Sequence, residues 1–493
     1  MLPGFEAQAT FSIFGERIIP KLNSWAALPL DNPLSGYAAG FLGHAMESSD
    51  LVSDYRQINQ RLVPIIIKRL QESVNLIRPA PTSPPFKRAR HSAVEIYDDS
   101  DSRGSFTSEY DLRQQHSLLP LANPRKIILY LKYLTPMGEY FDQLPAFMEH
   151  DALGIVLELL EFGDNIMKLE TLKLLSSMLC HNKVALDFVN RGGFERLTSV
   201  NKSSRAGAAV AVCLYYLAYN GDVMERFFQV SREKMRGVVS YALDLVEVKH
   251  DSARVHSIMF FTYILLNPKN RVMLQIFDEK DGVRRIYNVI STLGVLQNGD
   301  TDDQESHAEK TSVKMAAICL KRYVERHIVL KAESLGINTA MYHLESNMQS
   351  MGKKKSLYDL AERINNCTTG CFLSKMGFLR KFIHMKTIKT LLRLALRCAD
   401  WTGFTGRIET IRALIDIVAI CSLSFEGILQ LCEPIVPEDF FSRSITALRY
   451  PPRDLDKRHP SDDPRNCGLC LLLLMIEDSS EDAQFFSEEL VTI

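Results

Sequence analysis

Phe188-Val189-Asn190-Arg191-Gly192-Gly193-Phe194-Glu195-Arg196-Leu197 and Phe277-Asp278-Glu279-Lys280-Asp281-Gly282-Val283-Arg284-Arg285-Ile286 are two versions of one pattern, with a Gly five residues after a Phe in each. A glycine there can take the left-handed backbone that turns one short helix into the next, since it has no Cβ to clash. Upstream of both copies lie long apolar helices that end in Asn. They are Ser177-Met178-Leu179-Cys180-His181-Asn182, Tyr215-Tyr216-Leu217-Ala218-Tyr219-Asn220 and Tyr263-Ile264-Leu265-Leu266-Asn267. The three Asn residues stand 38 and 47 positions apart. That is close to the roughly 40–47 residues of armadillo and HEAT units. The middle copy lacks the Gly, and leucine-rich helices ending in Asn also occur without repeats; position and sequence recurring together favour the repeat.

Working outward, the helical period persists. Leu172, Leu175, Ser176 and Leu179 follow the i, i+3, i+4, i+7 template with one polar lapse. Val210, Cys213, Leu214 and Leu217 fill it, as do Leu391, Leu394, Ala395 and Cys398, and Ile411, Leu414, Ile415 and Val418. Strand-like alternation is scarce. The expected fold is all-α, an armadillo/HEAT-like helical solenoid with a disordered insertion. Residues 1–77 form an amino-terminal helical segment, with helices over Pro33 to Met46 and Leu51 to Val74, the second broken or restarted at Pro64. Residues 78–123 contain Pro79, Pro81, Pro84 and Pro85, then basic and acidic clusters, and read as a disordered linker. Residues 124–449 carry the repeats, with connections at Asn298 to Ser306 and Met348 to Ser356; residues 450–493 are a Pro- and charge-rich break and a remnant.

Composition excludes several classes. The chain has 493 residues, 46% hydrophobic and 24% charged, which suits a folded protein. Lys+Arg 58 against Asp+Glu 59 leaves a formal charge of −1, so direct nucleic-acid binding is not expected. The uncharged stretch Ala206 to Gly221 is shorter than the roughly 20 residues of a spanning helix, so no membrane span is expected. The first residues lack a basic start leading into an apolar run, so a secretory signal is not expected and the ten cysteines read as reduced thiols.

No catalytic constellation stands out. Gly352-Lys353-Lys354-Lys355-Ser356 lacks the earlier Gly and the hydroxyl after Gly-Lys that a phosphate loop needs. Cys467-x-x-Cys470 and the pair Cys367 and Cys371 each supply half a zinc site, with no second close pair. No metal or cofactor is expected. Two charged features are candidate sites. Lys87, Arg88 and Arg90 form a short basic cluster in an extended setting, which suits a nuclear-import signal. From Lys375 to Ala399 there are seven basic residues and no carboxylate. The last four, Lys386, Lys389, Arg393 and Arg397, would line one helix face opposite Leu391, Leu394, Ala395 and Cys398. That stripe is either an ordinary solvated face or a patch for an acidic partner.

Pro33-Leu34, Tyr37-Ala38-Ala39-Gly40-Phe41-Leu42-Gly43, Ala45-Met46-Glu47, Leu131 through Tyr140, Cys213 through Asn220, and Phe277 through Leu293 are collinear blocks. They resemble the amino-terminal half of the Vpr-binding protein family, the damaged-DNA-binding-protein- and cullin-4-associated substrate receptors. The resemblance implies an armadillo-like domain and a non-catalytic, substrate-recruiting subunit of a cullin-4 RING ubiquitin ligase, with catalysis by other subunits. It implies as partners the ligase adaptor, cullin-4 and protein substrates, and residence in nucleus and cytoplasm. A kinase activity proposed for the family finds no Gly-rich loop, His-Arg-Asp or Asp-Phe-Gly element here. The family's propeller, which docks on the adaptor, has no counterpart in these residues, so a freestanding adaptor for acidic or extended peptides is the alternative.

Overall fold

The structure, a computed structural model, describes residues 18–78, 121–266, 271–292, 307–339, 342, 356–367, 377–399, 401 and 403–432. Among them every regular element is a helix, and none is long and apolar enough to cross a membrane. The chain divides into two compact units, 1–181 and 182–493. The linker signal at Lys87, Arg88 and Arg90, the acidic connection 298–306 and the break at 450–493 lie outside the described residues.

The first unit contains α1 (18–26), α2 (Pro33–Ala45), α3 (Ser49–Asp54), α4 (Arg56–Ile77), α5 (Asn123–Met137), α6 (Leu144–Glu149), α7 (Ala152–Phe162) and α8 (Asn165–Met178). Asn32 starts α2: its side chain accepts the Leu34 N–H at 3.0 Å, and Pro33 follows where a missing N–H costs nothing. Helix α2 lies against α5. A Cβ on Gly43 would stand 2.7 Å from the Lys132 backbone, so the contact requires glycine.

Fully buried Tyr130 and Tyr133 of α5 need partners for their hydroxyls and find them on neighbouring helices. Tyr130 meets Ser35 Oγ at 3.0 Å, and Tyr133 donates to Asn59 Oδ1 at 3.0 Å. Burial raises both phenol pKa values, with the Ser35 bond acting against it at Tyr130. The sequence placed a break at Pro64, but α4 runs through it and the chain instead interrupts at Tyr55, between α3 and α4. Leu62, Val63, Ile66 and Ile67 around the proline are all buried. Their burial outweighs the roughly 3 kcal/mol an interior proline costs.

The second unit begins with α9 (Asn182–Asn190), α10 (Gly193–Thr198), α11 (Arg205–Tyr219), α12 (Gly221–Phe227), α13 (Arg232–Val246) and α14 (Asp251–Leu266). It continues with α15 (Arg271–Glu279), α16 (Gly282–Thr292), α17 (His307–Ser334), α18 (Leu357–Cys367), α19 (Gly377–His384), α20 (Thr387–Ala399), α21 (Arg407–Cys421) and α22 (Phe425–Cys432). Its long helices stack in sequence, α11 on α14, α14 on α17, α17 on α21 and α21 on α20. The repeat is visible in the turns. Asn220 caps α12 by accepting the Val223 N–H, and its Nδ2 donates to Asn182 Oδ1 at 2.9 Å, while Asn182 Nδ2 donates to Asp222 at 2.9 Å. Two of the three sequence-marked asparagines thus touch; Asn267 lies outside the described residues.

The corner differs from its sequence reading in one respect. The left-handed residue is one position earlier than the shared glycine: Gly192 has φ 75° and Asp281 φ 57°. Gly193 and Gly282 are conserved between the two copies for space, because a Cβ there would come within 2.3 Å of the Phe188 ring and 2.4 Å of the Phe277 ring. The arrangement recurs where no glycine marks it. Asp151 (φ 45°) stands four residues after buried Phe147, and Lys386 (φ 52°) four after buried Phe382. These corners open α7, α10, α16 and α20.

Candidate interaction surfaces

Helix α20 carries its apolar residues Ile388, Leu391, Leu394, Ala395 and Cys398 inward. A period of 3.6 then puts Lys389, Arg393 and Arg397 together on the other side. Arg393 is exposed, and Lys389 and Arg397 are partly exposed. Lys386 does not belong to the helix: it is the exposed left-handed corner residue before Thr387, whose Oγ1 bonds the Phe382 carbonyl at 3.0 Å. The helical stripe is therefore three residues long, with Lys386 beside its start.

The surroundings of α20 determine how much of this charge persists. Lys381 of α19 is committed to Asp278, 3.0 Å from Oδ1. On α21, packed along α20, Glu409 and Asp416 reach the other way, to Lys314 at 2.5 Å and Lys321 at 2.7 Å. Helix α16 touches α20 through Tyr287, whose hydroxyl donates to Thr390 Oγ1 at 2.9 Å, and it contains no carboxylate. Lys389, Arg393 and Arg397 also interact within the protein. A guanidinium has five N–H donors, so an internal contact does not exhaust it.

Two further features escaped the sequence reading. On α11 and α14 the rings of Tyr215 and Tyr263 lie 5.8 Å apart, Tyr219 and Tyr263 5.3 Å, and Tyr215 and His256 5.7 Å. Tyr219 is 66% exposed. The i, i+4 pair Tyr215 and Tyr219 was the available signal, obscured by the apolar residues around it. The other feature is Asp278, which ends α15 and gathers groups from two more helices. Tyr323 donates to it at 2.5 Å, His327 Nε2 stands 3.3 Å away and Lys381 3.0 Å. Burial alone would raise its carboxyl pKa. The hydrogen bonds from His327, Tyr323 and Lys381, with the charge of His327, outweigh this and hold it below the usual carboxylate value. Nothing in spacing could find this cluster, since its members are more than 40 residues from Asp278 in the chain.

Inside α17, Arg322 and Glu325 are buried together, 3.4 Å apart. Burial lowers the Arg322 pKa and raises that of Glu325, with each partner opposing the shift of the other. The buried thiols of Cys319 and Cys421 are pushed up to about 12 by burial, which makes them poor nucleophiles at neutral pH. Among the described residues no group of three or more His, Cys, Asp or Glu is placed to hold a metal ion. A cleft of about 380 Å3 between α15 and α17 is lined by Arg271, Asp278, His327 and Glu333, already engaged in ion pairs.

The chain matches two families, the Mahjong helical domain over residues 30–83 and 76–231 and the DCAF1 helical domain over residues 313–450. It is 30% identical over 501 residues to protein mahjong of Drosophila melanogaster, covering 89% of this chain and 32% of that protein. It is 29% identical over 510 residues to DDB1- and CUL4-associated factor homolog 1 of Caenorhabditis elegans, covering 86% of this chain and 30% of that protein. The chain thus spans about a third of the length of these relatives. Among solved structures it is similar to a designed armadillo repeat protein in complex with peptide (KR)4, with TM-score 0.40, 12% identity, and 62% of this chain and 99% of that one covered. An engineered protein gives TM-score 0.43 at 12% identity, over 93% of this chain and 99% of its own. With homology to mahjong and to the DDB1- and CUL4-associated factor homologue over most of its length, and with both helical domains matched in order, the chain belongs to the mahjong and DDB1- and CUL4-associated factor 1 family.

Proposed function

We propose that this chain is a non-catalytic, substrate-recruiting scaffold of a cullin-4 RING ubiquitin ligase. The observation that carries the reading is homology over 86% of the chain to a protein named for its association with DDB1 and CUL4. Stacked helices suit the role physically, because they expose long side-chain rows while each helix is held by its neighbours. In this reading the chain supplies position and specificity, and other subunits transfer ubiquitin. Lys386, Lys389, Arg393 and Arg397 contribute a basic surface for acidic partners. Lys87, Arg88 and Arg90 direct nuclear import, giving residence in nucleus and cytoplasm.

Affinity purification of the tagged chain from cells tests this. Recovery of cullin-4 and DDB1 is the expected result. Their absence alongside other stable partners would instead favour a freestanding adaptor for acidic or extended peptides, the reading consistent with a surface that needs no ligase. Replacing Lys87, Arg88 and Arg90 by Ala is expected to shift a fluorescent fusion toward the cytoplasm.

A further inference from the structure

The basic side of α20 has a spacing as well as a sign. Lys389, Arg393 and Arg397 succeed one another every four residues on a helix, which advances about 6 Å per step along its axis. Alternate side chains of an extended strand advance about 6.7 Å. Over the two steps the mismatch totals about 1.5 Å, well within the reach of Lys and Arg side chains. A contiguous run of carboxylates cannot match the row, because in an extended chain neighbouring side chains point to opposite faces.

We propose that α20 binds an extended segment of a recruited protein carrying acidic residues at alternate positions. Three such carboxylates would meet Lys389, Arg393 and Arg397, with Lys386 available to a further acidic group. The charge complementarity is local and unopposed by the neighbouring helices: α19 and α20 contain no carboxylate, and both carboxylates of α21 are engaged by lysines of α17. Tyr287 and Thr390 lock α16 to α20, so the row is presented by a braced helix. The Gln430 side chain, from α22, holds the Ile383 carbonyl at 2.6 Å and braces the preceding corner. A preformed row reduces the ordering cost of binding.

This proposal rests on the recruiting role above only for what the segment belongs to. Binding itself is measured with the purified full chain, so failure of ligase association and failure of this inference are separately visible. The probes are two fluorescent peptides of one composition, one with three Glu alternating with Thr and one with the three Glu together. Fluorescence anisotropy is expected to show the alternating peptide binding several-fold more tightly, and weakening several-fold as salt rises from about 50 to about 300 mM. Charge reversal K389E/R393E should weaken it roughly tenfold, whereas Lys183→Glu, an exposed cation on α9, should not. Circular dichroism and the thermal midpoint establish that each variant is folded. R393E alone, at an exposed position, provides the same comparison if the double variant is unstable.

Equal binding of the two peptides, or unchanged binding by folded R393E, would overturn the proposal. So would binding that emerges only after Asp300, Asp302, Asp303 and Glu305 are neutralised to Asn or Gln, which would make this chain's own acidic segment the occupant.

Discussion

Single residues at the helix corners show why two copies of a motif can share a glycine for a reason other than its backbone freedom. Gly193 and Gly282 sit under the faces of Phe188 and Phe277, so Gly193→Ala or Gly282→Ala should destabilise by roughly 1–3 kcal/mol through overpacking. Urea unfolding followed by circular dichroism checks this. Lys386 is the opposite case, a side chain in a left-handed conformation that costs roughly 1–2 kcal/mol relative to the right-handed one. Lys386→Gly relieves it, at the cost of greater freedom in the unfolded chain. The net expectation is a gain of up to about 1 kcal/mol in the same assay. A loss would mean that the lysine side chain contributes contacts that glycine cannot replace.

Asp278 is the residue whose charge state matters most to packing, since it joins α15 to Tyr323 and His327 of α17 and to Lys381 of α19. Its folded pKa is depressed, so its ionised form contributes stability above the unfolded carboxylate pKa, about 3.9. That contribution is lost as pH falls through the lower, folded value. D278N removes the charge at every pH. It should cost about 1–2 kcal/mol near pH 7, and the difference from the native chain should shrink as pH drops below about 4. Thermal midpoints measured from pH 7 to pH 3 test it; a constant difference would assign the effect to shape instead.

At the scale of elements, the sequence period located α11, α20 and α21 because each has a continuous apolar face that must be buried. It misjudged α4 because proline is a local penalty, whereas burial against α5 is a tertiary gain. It also extended the basic row of α20 by one residue. Charge spacing cannot reveal that the chain turns left-handed at Lys386, since nothing about a lysine signals such a turn. Helix α17 illustrates a further limit. Arg322, Glu325 and Arg326 read as an ordinary polar face, yet all three are buried. Glu325→Ala would leave Arg322 buried without the carboxylate it now faces, and should destabilise by roughly 3–5 kcal/mol, measured by urea unfolding.

Across the whole molecule, cations and anions nearly balance, and the local excess on α20 is set against pairs such as Lys202 and Arg285 on Asp244. The burial that would raise the Asp244 carboxyl is outweighed by hydrogen bonds from these two cations. With charge arranged in this way, a duplex nucleic acid finds no broad positive surface to displace its counterions. Purified chain should therefore leave a labelled duplex unshifted in a mobility assay at about 150 mM salt. A salt-sensitive shift at micromolar protein would contradict that expectation.

What the sequence determined alone was periodic: helices, the 38-residue return of the Asn turn, the collinear blocks that mark the family and the carboxylate-free stretch from Lys375 to Ala399. Such features follow from helical geometry and repeat along the chain. The tertiary structure alone decided which glycine of a corner bends and which makes room, where the basic row begins, and which distant groups meet at Asp278. Those depend on contacts between residues far apart in sequence, where burial and steric exclusion select one arrangement from several that local propensity permits.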